Sequence, residues 1–199
     1  MTRKYQNTGL RKTQIIEAAK RIIIRHGSEH LTIRRMAKEV GITEGAIYRH
    51  FESKKDILSF LVEHAEETLV GPVQRALVEG PPSLKNLQNV LKSHISGIEQ
   101  RRGISFQVTA EIISLGDRKL NRQIAEVLKK YLQSLRELLA GGIQCGEVKK
   151  GLNLDDAAVS LFGVIQGLVN LWALSGYNFD LEKKFDLLWM LFLKTVSTG

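Results

Sequence analysis

Only one cysteine, Cys145, occurs in the 199 residues. No internal disulfide and no cysteine-based zinc cluster can therefore form, which fits a reducing, cytoplasmic location. Prolines number three, and alternating β-branched runs are scarce, so the chain reads as mostly helix. The opening MTRKYQNTGLRK has no apolar segment after its charges and does not read as a secretory signal. A Gly-rich phosphate loop, a metal-ligand His/Cys spacing and a nucleophile motif are all missing. The five histidines are scattered, and Cys145 has no evident activating neighbour. These absences argue against an enzyme, a metal site and a bound cofactor. Internal repeats and low-complexity segments are also lacking.

Hydrophobic residues at 43% and charged residues at 25% are ordinary for a globular chain, and the length allows one or two domains. The charge is unevenly placed. Residues 1–55 hold 13 Lys and Arg against 5 Asp and Glu, a net of +8, while residues 56–199 hold 16 of each. A solubilising face would be the bland explanation. Concentration of the whole excess in one segment points instead to a polyanion partner, since neutralising phosphates releases counterions.

That segment also carries a pattern. In LTIRRMAKEVGITEGAIYRHFESKK, Leu31 to Lys55, the apolar spacing of Ile33, Met36, Ala37 and Val40 marks one helical face. Gly41 stops that helix. Thr43 can cap the next, whose inward side is Ala46, Ile47 and Phe51. Two short helices joined by a Gly-containing turn form a helix-turn-helix, whose second helix enters the DNA major groove. Thr32, at the start of the first helix, can cap it and also meet a phosphate. Arg34 and Arg35 follow on the polar side, and a bidentate arginine to guanine is the commonest specific base contact. On the second helix Glu44, Gly45, Tyr48, Arg49 and His50 face outward. Gly45 permits close approach to the groove. Glu44 either accepts from a cytosine amino group or favours the helix N-terminus. Arg49 either contacts DNA or pairs with an acidic neighbour. Ser53 and Asp56 form a capping box for a further helix.

Gly27, Thr32 and the run MAKEVGITEGAIYRHFESKKDIL, Met36 to Leu58, closely resemble the DNA-binding half of the TetR family of bacterial repressors. Tyr48, His50, Phe51 and Lys54 carry the most specific part of that resemblance. It implies that Tyr48, His50 and Lys54 contact phosphate, that Arg34, with Arg35 as the alternative, reaches a base edge or nearby phosphate, that the chain is a homodimer reading a palindromic double-stranded operator, and that a small molecule bound in the C-terminal domain releases it. The implied architecture is all-α: a three-helix DNA-binding domain over residues 1–55, then a helical ligand-binding and dimerisation domain over 56–199, about nine helices in all.

Taken in order, residues 1–10 read as a basic arm bearing Arg3 and Lys4, either disordered or reaching a minor groove. A helix spans Leu10 to His26, and Lys12 at its start could touch phosphate. The helix begun by Ser53 runs to about Gly71–Pro72. Further helices are expected over Ser83–Gln100, Ile104–Ser114, Arg118–Ala140, Asp155–Ser175 and Leu181–Val196, with Gly141 and Gly142 marking a loosening before a loop. The Asp155–Ser175 helix is apolar almost all round. Gln166 and Asn170 within it, and the lack of flanking basic anchors, argue for a buried helix over a membrane span. Together with the last helix it offers a dimer interface: Leu161, Gly163, Ile165, Gly167, Leu168, Phe185, Trp189 and Phe192. These residues could equally complete the core of one chain. Candidate lining residues for a hydrophobic effector such as an acyl chain, aromatic or lipophilic drug are Phe60, His64, His94, Phe106, Glu111, Tyr131, Phe162 and Trp172, although plain core packing would explain most of them. A DNA-binding protein without an effector, or an activator, remains the alternative function.

Overall fold

The computed structural model describes residues 2–80 and 82–198. Among the described residues the nine α-helices are α1 Thr2–His26, α2 Ile33–Val40, α3 Glu44–Tyr48, α4 Lys54–Glu79, α5 Leu84–Gln100, α6 Ile104–Leu115, α7 Arg118–Gln144, α8 Leu154–Leu174 and α9 Leu181–Val196. A 3-10 turn, Ser28–His30, precedes α2. The described residues hold no strand, only one isolated antiparallel bridge between Val148 and Ser197. The expected all-α class is observed.

The chain forms two compact units. One contains the described residues up to His64 together with Ile104–Ile124; the other contains Ala65–Gly103 and the described residues from Ala125 onward. In the first, α1 packs on α2 and α2 on α3. Ile15, Ala18, Ala19, Ile22 and Ile23 of α1 are buried with Leu31, Met36, Ala37, Ile47 and Phe51. The i, i+3, i+4 stripe of α1 is thus the surface that fixes the two short helices. Arg21 and Arg25 of α1 also pair with Glu39 of α2, at 2.9 and 3.6 Å.

Local chemistry sets the helix ends. Thr32 Oγ1 accepts from the Arg35 amide and Thr43 Oγ1 from the Ala46 amide, each at 3.2 Å. Gly41 closes α2 in the left-handed region, φ 74°, where a Cβ is costly. The Ser53 amide donates to Asp56 Oδ2 at 2.9 Å, and the Asp56 amide to Ser53 Oγ at 3.4 Å, the reciprocal pair expected of a capping box.

Three boundaries differ from expectation. The backbone is helical from Thr2, so the arm expected over residues 1–10 is part of α1; Met1 and the side chains of residues 2–8, Arg3 and Lys4 among them, lie outside the described residues. Helix α4 passes through Pro72 to Glu79. An interior proline removes one hydrogen bond and costs about 3 kcal/mol, and burial of Val70 and Val73 on either side offsets that cost. Helix α7 continues through Gly141 and Gly142 to Gln144. These glycines serve close packing: a Cβ on Gly141 would lie 2.0 Å from Pro82 Cβ, and one on Gly142 2.6 Å from Val148 Cγ2.

Helix α8 is long and apolar enough to cross a membrane by length and composition. In this fold it buries Ala157, Ala158, Leu161, Ile165, Val169 and Trp172 against the rest of its unit.

Candidate functional site

Helices α2 and α3 present one polar face. Thr32, Arg34, Thr43, Glu44, Gly45, Tyr48 and Arg49 are exposed, and Arg35 and His50 are half-buried. Beneath them Met36, Ala37 and Ile47 are buried, so the face rests on a packed base. Tyr48 is 52% exposed, which sets it apart from the inward aromatic Phe51. Around Gly45 the nearest side-chain atom to an added Cβ would be Thr43 Oγ1, 4.0 Å away; the surface there is open for close approach.

His50 is surrounded by positive charge. Its Nδ1 is buried without a hydrogen-bond partner. Burial, then Lys12, Arg11 and Arg49, hold its pKa below the ordinary histidine value. Lys12 also sits over the Phe51 ring, 5.8 Å from its centroid. Two residues of α1 thereby join α3 at one basic locus. Arg11 was not anticipated; the adjacent basic pair Arg11–Lys12, at the start of an amphipathic helix, is the signal that could have found it.

Lys54 is placed differently from a free phosphate clamp. Its Nζ donates to Glu111 Oε1 at 2.7 Å and to the Ser28 carbonyl at 3.4 Å, and its side chain is 27% exposed against 13% for Glu111. Next to it, Lys55 pairs with Asp117 at 2.6 Å, and that hydrogen bond holds the Asp117 carboxyl below its usual pKa. Both lysines at the head of α4 are thus met by carboxylates from Ile104–Ile124, inside the same unit.

The eight effector candidates are divided between the two units. Phe60, His64, Phe106 and Glu111 lie in the first unit, where Phe60 packs edge-on against Phe51, with ring centroids 6.2 Å apart, and Glu111 holds Lys54. In the second unit His94 Nδ1 and the Tyr131 hydroxyl are hydrogen-bonded at 3.1 Å, and Tyr131 meets Phe162 edge-to-face at 5.7 Å. His94 is half-buried, and burial first, then Arg101, pushes its pKa down to about 4; burial raises that of Tyr131. Trp172 instead meets Tyr177 edge-to-face, 4.7 Å between centroids. Beside His94 opens a cleft of about 270 Å³ between α4 and α5, lined by Glu67, Thr68, Pro72, Arg75, Ser93, His94, Gly97 and Arg101. Arg75 escaped the sequence reading because α4 was expected to end near Pro72, and Arg101 because it follows the last residue of the Ser83–Gln100 helix.

On α8 and α9, Leu161, Ile165, Phe185 and Trp189 are buried within the chain itself, because each lies on the stripe facing its own core. Leu168 and Phe192 are half-buried, and Gly163 and Gly167 exposed. The apolar surface left open is Val159, Val164, Leu171 and Leu174 on α8 and Leu187, Met190 and Leu191 on α9. An apolar groove of about 450 Å³ runs between the two helices, with Val164, Leu188, Leu191 and Phe192 on its walls.

Comparison with known proteins finds two family models along the chain. Residues 15–59 match the family model described as bacterial regulatory proteins, tetR family, and residues 63–195 match that of the YsiA-like protein, C-terminal region. The chain is 30% identical over 168 residues to the fatty acid metabolism regulator protein of Bacillus subtilis (strain 168), covering 84% of this chain and 86% of that protein. It is 26% identical over 186 residues to the nucleoid occlusion factor SlmA of Vibrio atlanticus (strain LGP32), covering 91% and 93%. Among solved structures it resembles the transcriptional regulator FadR from Bacillus subtilis in complex with stearoyl-CoA, with a TM-score of 0.79 at 28% identity, covering 91% of this chain and 97% of that one.

Proposed function

Because the chain belongs to the TetR family of DNA-binding transcriptional regulators, we propose that it is a cytoplasmic homodimeric repressor, released from a palindromic operator by an acyl effector. One observation carries the DNA-reading half: the exposed set Thr32, Arg34, Glu44, Gly45, Tyr48 and Arg49 on two short, capped helices. In this reading the α3 residues enter the major groove. Tyr48, His50 and Lys54 hold phosphates, and Arg34 or Arg35 reaches a base edge or an adjacent phosphate. The basic locus of Arg11, Lys12 and Arg49 around His50 strengthens the phosphate grip.

The dimer in this proposal forms through the open apolar face of α8 and α9. Covering Val164, Leu171 and Leu191 removes a contiguous apolar patch from water, and a two-fold pairing of such faces is self-complementary. The two heads then read two half-sites spaced by whole helical turns.

The acyl effector is supported by the relatives named for fatty acid metabolism and solved with stearoyl-CoA, and by the His94–Tyr131–Phe162 cluster in the second unit. Effector binding would shift the population toward a form with lower operator affinity, by as much as its affinity differs between the two forms. The test is fluorescence anisotropy on DNA selected by the protein. Stearoyl-CoA is expected to release it and free CoA to leave it bound; retention of DNA at saturating stearoyl-CoA would remove the acyl effector.

A second reading has its own support. The likeness to a nucleoid occlusion factor spans nearly the whole chain, which favours a DNA-binding protein whose output is not release by an acyl effector. Retention of DNA in that same experiment would select it.

A further inference from the structure

We infer that the cleft between α4 and α5 seats the anionic end of the acyl effector, with the guanidiniums of Arg75 and Arg101 as its binding groups. This rests on the acyl reading above and specifies which part of the molecule takes the charge.

Both arginines lie over glycine. A Cβ on Gly97 would come within 2.7 Å of an Arg101 terminal nitrogen, and one on Gly71 within 3.4 Å of Arg75 Nη1. The small residues leave room for each guanidinium to lie along its own helix at the cleft. Neither guanidinium has an ion pair or hydrogen bond among the described residues. Several other cations are paired from one helix to the next, as in Arg21–Glu39, Lys54–Glu111, Lys92–Asp186 and Arg136–Asp155. Both side chains are exposed at the cleft; desolvation still lowers the Arg101 pKa, and an incoming anion would offset that shift. Two planar donor forks at one cleft suit the paired oxygens of a phosphate or carboxylate.

The size of the cleft divides the ligand. At about 270 Å³ it is below the roughly 300–1,000 Å³ of sites that hold a drug-sized molecule, and most of its walls are polar. It accommodates a head group and not a long chain. His94 forms part of the wall and leads, through its bond to Tyr131, to the apolar Phe162. A molecule that is charged at one end and apolar at the other matches this order. Glu67 also lines the cleft and is engaged within the chain.

The shared chemistry is an oxyanion on an acyl chain, and it has two sources: the carboxylate of a free fatty acid or the phosphates of a thioester carrier. Isothermal titration of the full chain with stearoyl-CoA, stearate and free CoA separates them. Tight binding of stearoyl-CoA with weak binding of stearate assigns the cleft to the carrier phosphates, and the reverse assigns it to the carboxylate. In either case R75A/R101A is expected to weaken binding of the preferred ligand by about tenfold or more per guanidinium and to flatten its salt dependence. R75K/R101K is expected to recover part of the loss, since charge is kept and the fork geometry is not. R75Q/R101Q serves as the uncharged variant if the alanine pair melts early. If the wild-type chain binds stearoyl-CoA or stearate and the neutral variants bind it equally well, this inference is overturned and the acyl reading stands. If the wild-type chain binds neither, both fall together.

Discussion

Lys54 Nζ lies 2.7 Å from Glu111 Oε1, and that contact joins the first turn of α4 to the middle of α6. The ammonium has three donors; Glu111 and the Ser28 carbonyl take two. The carboxylate also cancels the charge a phosphate would meet. The Glu111→Gln variant is therefore expected to bind DNA of any sequence several-fold more tightly at low salt, with a steeper salt slope. Lys54→Ala is expected to weaken binding uniformly and flatten the slope by about one unit. In the double variant the Glu111 effect should vanish. Filter binding across a salt series measures all three, and an unchanged Glu111→Gln slope would contradict the competition.

Gly41 and Gly45 stand four residues apart with opposite roles. Gly41 is left-handed at φ 74°, with open space around it, so its alanine variant pays only backbone strain, about 1–2 kcal/mol of stability. Gly45 lies inside α3 with no such constraint. Gly45→Ala should raise stability by up to about 1 kcal/mol while weakening DNA binding through the groove-facing methyl. Thermal melts with DNA titrations check the pair. Equal effects of the two substitutions on stability would refute the assignment.

His50 is expected to couple DNA binding to pH. In the free chain its pKa lies below the ordinary value through burial, Lys12, Arg11 and Arg49. Phosphates at that locus favour the protonated ring, so its pKa rises on binding and a proton is taken up. Affinity should be highest below the free-state pKa and should decline as pH rises through the bound-state pKa. His50→Gln should remove that decline. Anisotropy at fixed salt from acid to neutral pH is the measurement.

His94 gives a different pH signature, on stability. Its pKa falls from 6.5 to about 4 on folding. The unfolded chain therefore binds a proton over a range where the folded chain does not. The stabilisation is fully present above pH 6.5 and is lost as pH falls toward 4, about 3 kcal/mol in all. Urea midpoints for the wild type and His94→Phe should converge across this window; parallel curves would show that the ring titrates normally.

Much of this was legible because it is local. Thr32, Thr43 and the Ser53–Asp56 box announce helix starts by bonding only three residues away, and Gly41 announces a stop by its own backbone. The stripe Ile15, Ala18, Ala19, Ile22 and Ile23 is buried as its spacing required. Tertiary packing defeated the rest. Pro72 and Gly141–Gly142 carry the local signs of breaks, yet burial carries α4 through the first, and the approach of Pro82 and Val148 explains the second. The Lys54–Glu111 pair spans 57 residues and has no periodic signature. On α8 and α9 one apolar period serves two faces, and periodicity alone does not tell the inward Leu161 and Trp189 from the outward Val164 and Leu191.

That division yields a further expectation. Val164→Glu with Leu191→Glu should leave the fold intact and convert a dimer to monomers, because both residues are exposed or line the open groove. Trp189→Ala should instead cost about 3–5 kcal/mol of stability. Light scattering and melting temperature separate the two outcomes, and a dimer that survives the paired glutamates would move the interface elsewhere.

The most direct measurement is selection of bound sequences from a random DNA pool with the purified chain. A two-fold symmetric motif whose half-sites are spaced by whole helical turns is the expected result. Binding of every sequence alike, lost uniformly with salt, would contradict a dimeric operator reader and leave a non-specific DNA-binding protein.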